Sequence, residues 1–117
     1  MNNIGKLAEL KATQYLINHK YKIIDCNFIS RFGEIDIIAS KGKYIAFIEV
    51  KMRDVDSIAQ PREFVDSQKQ SKIIATEKFF LMKNKTTLQP RFDVIEVICD
   101  NNSIKSIKHL ENAFILE

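Results

Sequence analysis

Hydrophobic residues recur along the chain at two different spacings, which predict a mixture of helices and strands. Near the N-terminus they return every three or four residues, as on one face of a helix, at Ile4, Leu7, Ala8, Ala12, Tyr15 and Leu16. Glu9 lies on the flank of that face. A second helical stretch begins near Pro61 or Ser67 and ends at about Lys83. The chain therefore has two predicted helices.

Five short segments rich in β-branched and aromatic residues predict strands, and they span residues 22–28, 34–39, 44–52, 91–98 and 104–110. The second and third are joined by "SKGK", which is short enough for a hairpin and makes them antiparallel neighbours. The second helix can cross over the sheet between the third and fourth strands. We therefore expect an α/β fold with a mixed central sheet of about five strands flanked by helices.

Composition supports a single unit. With 117 residues, 3 Gly and 2 Pro there is no evident linker, so residues 1–117 are expected to form one domain. No apolar run approaches the roughly 18 residues that a membrane span needs. The N-terminus also lacks the features of a secretory signal, and a cytoplasmic location is expected. Cys26 and Cys99 are expected to be buried thiols in that reducing compartment.

The net charge of +3 is unevenly distributed. Residues 1–85 contain 15 Lys and Arg against 10 Asp and Glu, whereas residues 86–117 contain 3 against 5. The densest basic stretch falls in the second helix and its exit, at Lys69, Lys72, Lys78, Lys83 and Lys85. A solvated helix face and a polyanion-binding surface both explain this pattern, so charge alone does not choose between them.

Acidic residues interrupt two apolar strands in "GEIDIIASKGKYIAFIEVKMR". Carboxylates are depleted in strands and are costly to bury without a partner. Because strand side chains alternate, Glu49 and Lys51 share one face, roughly 7 Å apart along the strand. Hairpin pairing would set Asp36 opposite residues 47 to 49. Asp36 and Glu49 are therefore expected to converge.

Two carboxylates so close together favour a cation between them. Oxygen ligands suit Mg²⁺ or Mn²⁺, and the sequence has no Cys/His cluster for Zn²⁺. Beside such an ion, Lys51 would orient or deprotonate a water, or stabilise charge that develops on a phosphate. These groups suit phosphodiester hydrolysis. The alternative is that Glu49 and Lys51 form a salt bridge on a solvated strand edge.

Asp36, Glu49 and Lys51 match the spaced signature of the restriction-endonuclease-like, or PD-(D/E)XK, nucleases. Six segments also match in order: "GKLAELKATQYL", "NFISRFGEIDII", "FIEVKMR", "SQKQSKI", "RFDVIEV" and "HLENAF". Together they resemble the YraN-like family of small bacterial proteins, relatives of Holliday-junction resolvases. The resemblance covers residues 5–114 and implies a restriction-endonuclease-like fold. It also implies a Mg²⁺-dependent endonuclease whose substrate is DNA, with branched or structured DNA as the expected form.

The resemblance assigns roles to individual residues. Asp36 and Glu49 correspond to the metal-binding acids, and Lys51 to the catalytic lysine. Glu9 corresponds to an acid on the first helix that completes the metal site in the related resolvases. The Val50 carbonyl is a candidate third ligand, so that the expected metal site comprises Asp36, Glu49, Glu9 and Val50.

Several basic or polar residues are candidates for contacting DNA: Arg31, Arg53, Gln68, Lys69 and Lys72. Arg53 is the stronger arginine candidate because it shares a face with Glu49 and Lys51. Asp93 is expected either to join the acids or to pair with Arg91. A nucleic-acid-binding module without turnover remains the alternative function, and a protein-interaction domain is a third. A homodimer is plausible for cutting two strands, since so small a chain would cover little duplex.

Overall fold

The computed structural model describes residues 3–57 and 66–114. Its elements in chain order are α1 (Asn3–Asn18), β1 (Lys22–Ser30), β2 (Gly33–Lys41), β3 (Tyr44–Asp54), a 3-10 turn (Val55–Ser57), α2 (Ser67–Lys83), β4 (Gln89–Asp100) and β5 (Ser103–Leu110). The predicted order of two helices and five strands is confirmed. Neither described helix is long and apolar enough to cross a membrane.

The five strands form one mixed sheet in the order β1-β2-β3-β4-β5. Neighbouring strands are antiparallel except β3 and β4, which run parallel. α2 lies between β3 and β4 in sequence, as the crossover of a parallel pair requires. Both the expected hairpin and the expected α/β class are therefore confirmed.

Each face of the sheet carries one helix and its own hydrophobic core. Ala8, Ala12 and Leu16 of α1 pack with one set of strand residues that includes Ile37 and Ile48. On the other face, Ile73 and Phe80 of α2 pack with the strand residues Ile35, Ile38, Ile45, Phe47, Phe92 and Val94. Since β3 is covered on both sides, its run from residue 45 to 48 is apolar without alternation. This explains why the third strand reads as a continuous hydrophobic segment.

The structure corrects several details of the sequence interpretation. Leu7, expected on the buried face of α1, is 40% exposed. β3 and β4 are longer than expected, because they pair in parallel as far as Asp54 and Cys99. α2 begins at Ser67, where Asp66 caps it by accepting a 2.8 Å hydrogen bond from the Lys69 amide. Pro61 lies outside the described residues, and the single-domain assignment of 1–117 stays a prediction.

β2 and β3 separate at one end of the sheet. They pair only through Ile37–Lys41 and Tyr44–Ile48. Beyond the Ile37–Ile48 pair, β2 continues along β1, while β3 continues along β4. We call the resulting gap the fork, and define it by residues 33–36 of β2 and 49–54 of β3. The fork leaves backbone and side-chain groups of both strands facing each other without a ladder between them.

Candidate functional site

Asp36 and Glu49 are the first residues beyond the last β2–β3 pair. The structure thus brings the two predicted acids together at the fork. Asp36 Oδ2 accepts a 2.8 Å hydrogen bond from the Val50 amide, so a carboxylate takes the place of a backbone acceptor. Because the N–H and C=O of one strand residue point to the same edge, the Val50 carbonyl is also directed to the fork.

Glu49 is 8% exposed and points to the α2 side of the sheet. Its Oε1 lies 2.5 Å from Lys69 Nζ, in the first turn of α2. This hydrogen bond raises the pKa of the Lys69 ammonium. Lys69, predicted as a DNA contact, is therefore the direct partner of a predicted metal ligand. No sequence pattern indicates that pairing, because the two residues lie 20 positions apart on different elements.

Burial is the main reason why the pKa of Asp36 is raised to about 7. The negative charge of Glu49 raises this pKa further, and Glu9 and Glu34 add smaller contributions. The Val50 amide acts in the opposite direction by stabilising the ionised form. Burial and the charges of three neighbouring carboxylates thus favour a proton on Asp36 near neutral pH, and a bound cation would relieve this repulsion.

An open groove of about 490 Å³ lies between α1 and the fork. Glu9 and Asp36 both line it, together with Lys6, Thr13, Cys26 and Asn27. The helix therefore brings Glu9 to the same groove as Asp36, as the resemblance implied. Cys26 is exposed in this groove, so the expectation that both thiols are buried is wrong for Cys26 and right for Cys99.

Asn27 is a residue of the site that the sequence interpretation missed. It lies between the Cys26–Ile37 and Phe28–Ile35 pairs, across from Asp36. Its φ of 54° is left-handed, a conformation that Asn tolerates better than most residues. Across from Asn27, the alternation of side chains along β2 is reversed. Ile37 packs in the α1 core, whereas Ile35, two residues away, packs in the α2 core. The only available signal was an Asn in the middle of a predicted strand.

Lys51 and Arg53 lie on β3 beyond Glu49, on its α2 side. Lys51 is partly buried and stands opposite Glu96 in the parallel ladder. Arg53 Nη1 lies 3.4 Å from Glu96 Oε2, and the Glu96 side chain is 2% exposed. Arg53 is therefore the counterion of a buried acid. Glu96 was also missed, although it interrupts an apolar strand in the same way as Glu49.

The other three predicted DNA contacts lie on the surface of the protein. Gln68 and Lys72 are exposed on the first turns of α2. Lys72 packs against Gly33 at the start of β2, where an added β-carbon would lie 3.3 Å from Lys72 Cβ. Arg31 is exposed in the β1–β2 turn. Of these residues, Lys72 lies on the side of α2 that borders the fork.

The donor set at the fork suits a hard divalent cation better than a soft one. Asp36 and Glu49 offer carboxylate oxygens, Val50 a backbone carbonyl, and Glu9 a further carboxylate across the groove. Within residues 3–57 and 66–114, no three His, Cys, Asp or Glu side chains are already grouped closely enough to ligate one ion. Mg²⁺ commonly takes only one or two carboxylates and keeps several waters, so this arrangement fits its requirements.

Asp36→Asn should stabilise the metal-free protein at pH 8. The raised pKa means that ionising Asp36 costs folding free energy as the pH rises from about 4 to about 7. Asparagine avoids this cost and still accepts from the Val50 amide. Allowing for solvent screening, we expect about 2 kcal/mol more unfolding free energy at pH 8, and less than half of that at pH 5.

The measurement is urea unfolding in EDTA at both pH values. Glu34→Gln serves as the matched control, because Glu34 is an exposed acid of the same strand and should change stability by less than about 0.5 kcal/mol. An Asp36→Asn protein that is less stable than the wild type at pH 8 would contradict the assignment of a costly charge to this position.

Asp93 belongs to a separate buried network and does not join the acids of the fork. Arg91 donates to both of its oxygens, at 2.9 and 2.8 Å. Asp93 Oδ2 lies 2.8 Å from His109 Nε2, and Oδ1 accepts from the Asn112 amide at 2.9 Å. Tyr15 and Tyr21 extend the network toward α1. Of the two roles considered for Asp93, the structure shows pairing with Arg91.

The fold and the fork define an α/β protein whose mixed sheet opens at the carboxylates of Asp36 and Glu49. Residues 8–97 match the model of the uncharacterised protein family UPF0102. A UPF0102 protein of Persephonella marina is 42% identical over 114 residues, covering 97% of this chain and 94% of the relative. One of Clostridium tetani is 44% identical over 115 residues, with 97% and 94% covered. The chain belongs to the UPF0102 family.

A third relative, from Thermodesulfovibrio yellowstonii, is 40% identical over 111 residues and is covered over 95% of its length. The family is the one to which the motifs of the sequence pointed, so the YraN-like resemblance is confirmed. The names of these relatives state no activity. Function therefore has to be argued from the site.

Proposed function

We propose that this protein is a metal-dependent nuclease of the restriction-endonuclease-like class that hydrolyses phosphodiester bonds in DNA. The observation that carries the proposal is the meeting of Asp36 and Glu49 at the fork, with Lys51 on the same strand as Glu49. The raised pKa of Asp36, caused first by burial and next by Glu49, supports a site that favours an added positive charge. The fold is consistent with this class.

Mg²⁺ or Mn²⁺ would be held by Asp36, Glu49 and the Val50 carbonyl, with Glu9 assisting from α1. When bound, the metal supplies charge to polarise a phosphate oxygen and to lower the pKa of a water. Lys51 contributes a positive charge on the same face as Glu49, where it stabilises negative charge on the phosphate or holds the attacking water. Asn27 keeps β2 turned so that Asp36 faces the fork.

Lys69 neutralises Glu49 and is also the cation nearest to the acids on α2. With Glu49 engaged as a ligand, the Lys69 ammonium would be placed to contact a phosphate of the substrate. Lys72 and Gln68 extend the polar edge of α2 beside it. DNA is therefore expected to lie along this edge, in the cytoplasm, with branched or structured DNA as the proposed form. Two copies of the chain would cut both strands.

The test combines metal binding with cleavage. Mn²⁺ and Mg²⁺ are titrated calorimetrically into the wild type and Glu49→Ala, and each protein is then incubated with linear, single-stranded and four-way-junction DNA. We expect the wild type to bind metal and to cleave only when metal is present, and Glu49→Ala to lose both properties. Double replacement of Asp36 and Glu49 by Ala should abolish binding.

Two results would contradict the proposal. Unchanged metal affinity in the double variant would show that these acids are not the ligands. DNA binding that falls steeply with salt, without cleavage in any divalent metal, would instead favour a binding module without turnover.

A further inference from the structure

A surface of mixed aromatic and basic character lies beside α2, away from the acids. It consists of Arg31 and Phe32 from the β1–β2 turn and Ala75, Lys78, Phe79 and Met82 from α2, which line a shallow depression of about 350 Å³. We call these six residues the aromatic–basic patch. Phe32 is 38% exposed and Met82 is 67% exposed. Exposed apolar surface of this kind, rimmed by polar groups, marks interaction sites.

The rings of the patch are held in place. Phe32 and Phe79 meet edge to face with centroids 6.0 Å apart, and Phe79 also contacts Phe28 at 6.3 Å. The Arg31 guanidinium lies 4.9 Å from the centre of the Phe32 ring, and Lys83 Nζ lies 4.8 Å from that of Phe79. A cation therefore lies over each of these rings, and the exposed part of Phe32, 38% of the residue, offers a stacking surface next to counter-charge for a phosphate chain.

The patch is connected to the fork along one flank of α2. Lys69, Lys72, Ala75, Phe79 and Met82 follow one another at steps of three or four residues, so they form a continuous row. From Lys69, which contacts Glu49, to Phe79 the helix rises about 15 Å. Midway, Lys72 packs against Gly33, and Ser30 contacts Thr76 Oγ1 at 3.3 Å. The β1–β2 turn and its flanking residues therefore lie along α2 between the acids and the patch.

We propose that the aromatic–basic patch binds unpaired nucleotides of the DNA strand that enters the fork. Base faces are available for stacking only where they are not enclosed in a duplex. Lys69, Lys72 and Lys78 would contact the phosphates between the fork and the rings. The substrate class of the site is thus DNA with a single-stranded segment next to the scissile bond. This inference rests on the proposed nuclease function, since it concerns the substrate which that site receives.

The chain has no Trp, so Phe32→Trp creates a single fluorescent probe in the patch. Fluorescence is titrated in EDTA with a 15-nucleotide oligo-dT and with the same strand annealed to oligo-dA. We expect strong quenching by oligo-dT and much weaker quenching by the duplex, because a thymine stacks on the indole. Ser106→Trp is the control, since Ser106 is exposed on β5 at the opposite edge of the sheet and should not be quenched.

Anisotropy of labelled oligo-dT tests the unaltered rings without relying on the probe. Phe32→Leu keeps an apolar side chain without an aromatic face and should weaken binding about tenfold, whereas Phe32→Tyr should bind like the wild type. Circular dichroism melting confirms that each variant is folded. Lys78→Ala, at an exposed helix position, should weaken binding and reduce its salt dependence.

Oligo-dT that fails to bind, or that binds without quenching Phe32→Trp, overturns the inference and would leave the patch as a surface for protein. Equal binding by Phe32→Leu and the wild type overturns it as well. Because EDTA removes any metal, these outcomes are independent of cleavage. Failure of the nuclease proposal would be observed in a separate experiment, as the absence of metal-dependent cleavage products from every DNA tested.

Discussion

Lys51→Met should reduce metal-dependent DNA cleavage by about 10²–10³-fold while metal affinity changes little. Lys51 is the basic residue of β3 that shares a face with Glu49, two positions beyond it. Groups that stabilise charge developing in a transition state contribute about this factor when they are removed singly. The Lys51 ammonium is not expected to bind the metal ion, so calorimetric titration of Mn²⁺ into Lys51→Met should give nearly the wild-type affinity.

The measurement is the single-turnover cleavage rate at saturating metal, on whichever DNA the wild type cuts. Lys105→Met provides the matched control, because Lys105 is an exposed lysine on β5 and should cleave at the wild-type rate. Lys51→Arg should retain part of the activity, since it keeps the charge but changes its geometry. Cleavage by Lys51→Met at the rate of the control would remove Lys51 from the chemistry.

Asp93→Ala should lower the free energy of unfolding by about 3–5 kcal/mol, a large part of the total for a domain of this size. Asp93 is fully buried. Its loss removes the carboxylate that is contacted by the Arg91 side chain, which is 12% exposed, and by the His109 side chain, which is 5% exposed. The Asn112 amide also loses its acceptor, which removes one of the contacts that join the turn after β5 to β4. Urea unfolding at pH 7 measures the effect.

The pH dependence of this effect distinguishes a charge interaction from simple loss of packing. Burial alone would raise the pKa of Asp93, but the hydrogen bonds from His109, Arg91 and Asn112 outweigh it and lower the pKa. The stabilisation is therefore present above about pH 4 and lost as the pH falls through the folded-state pKa. The difference between wild type and Asp93→Ala should shrink accordingly in acid.

Asp93→Asn separates the two contributions further, since it keeps the size and one acceptor and should cost less than Asp93→Ala. Asp100→Ala, at the far end of the same strand, is the control and should change stability by less than about 1 kcal/mol. A cost for Asp93→Ala no greater than that of the control would show that the network contributes little to folding.

The sequence was sufficient for the element order, the hairpin and the crossover because each depends on local pattern. Periodicity distinguishes helix from strand, and the short "SKGK" connection leaves β2 and β3 few alternatives to pairing. The register followed from the same connection, and it brought Asp36 and Glu49 to neighbouring positions as expected. These features require no knowledge of tertiary contacts.

What could not be predicted depends on residues that meet only after folding. The Lys69–Glu49 and Arg53–Glu96 pairs join different elements, and their geometry is fixed by how α2 and β4 pack on β3. The reversal of faces at Asn27 breaks the simple alternation on which strand reasoning relies. The strand ends were missed because long parallel pairing extended β3 and β4 beyond their apolar runs.

The hydrogen bond from the Val50 amide to the Asp36 carboxylate restricts which residues position 36 can accept during evolution. A residue without an acceptor would leave that amide unsatisfied at the point where the sheet divides, at a cost of about 1–3 kcal/mol. Asparagine meets the backbone requirement and removes the buried charge, so folding should tolerate it even though it discards the anionic ligand that we propose at this position. Copies of this gene freed from selection for chemistry should therefore accumulate asparagine here sooner than alanine or valine, and retain the divided sheet.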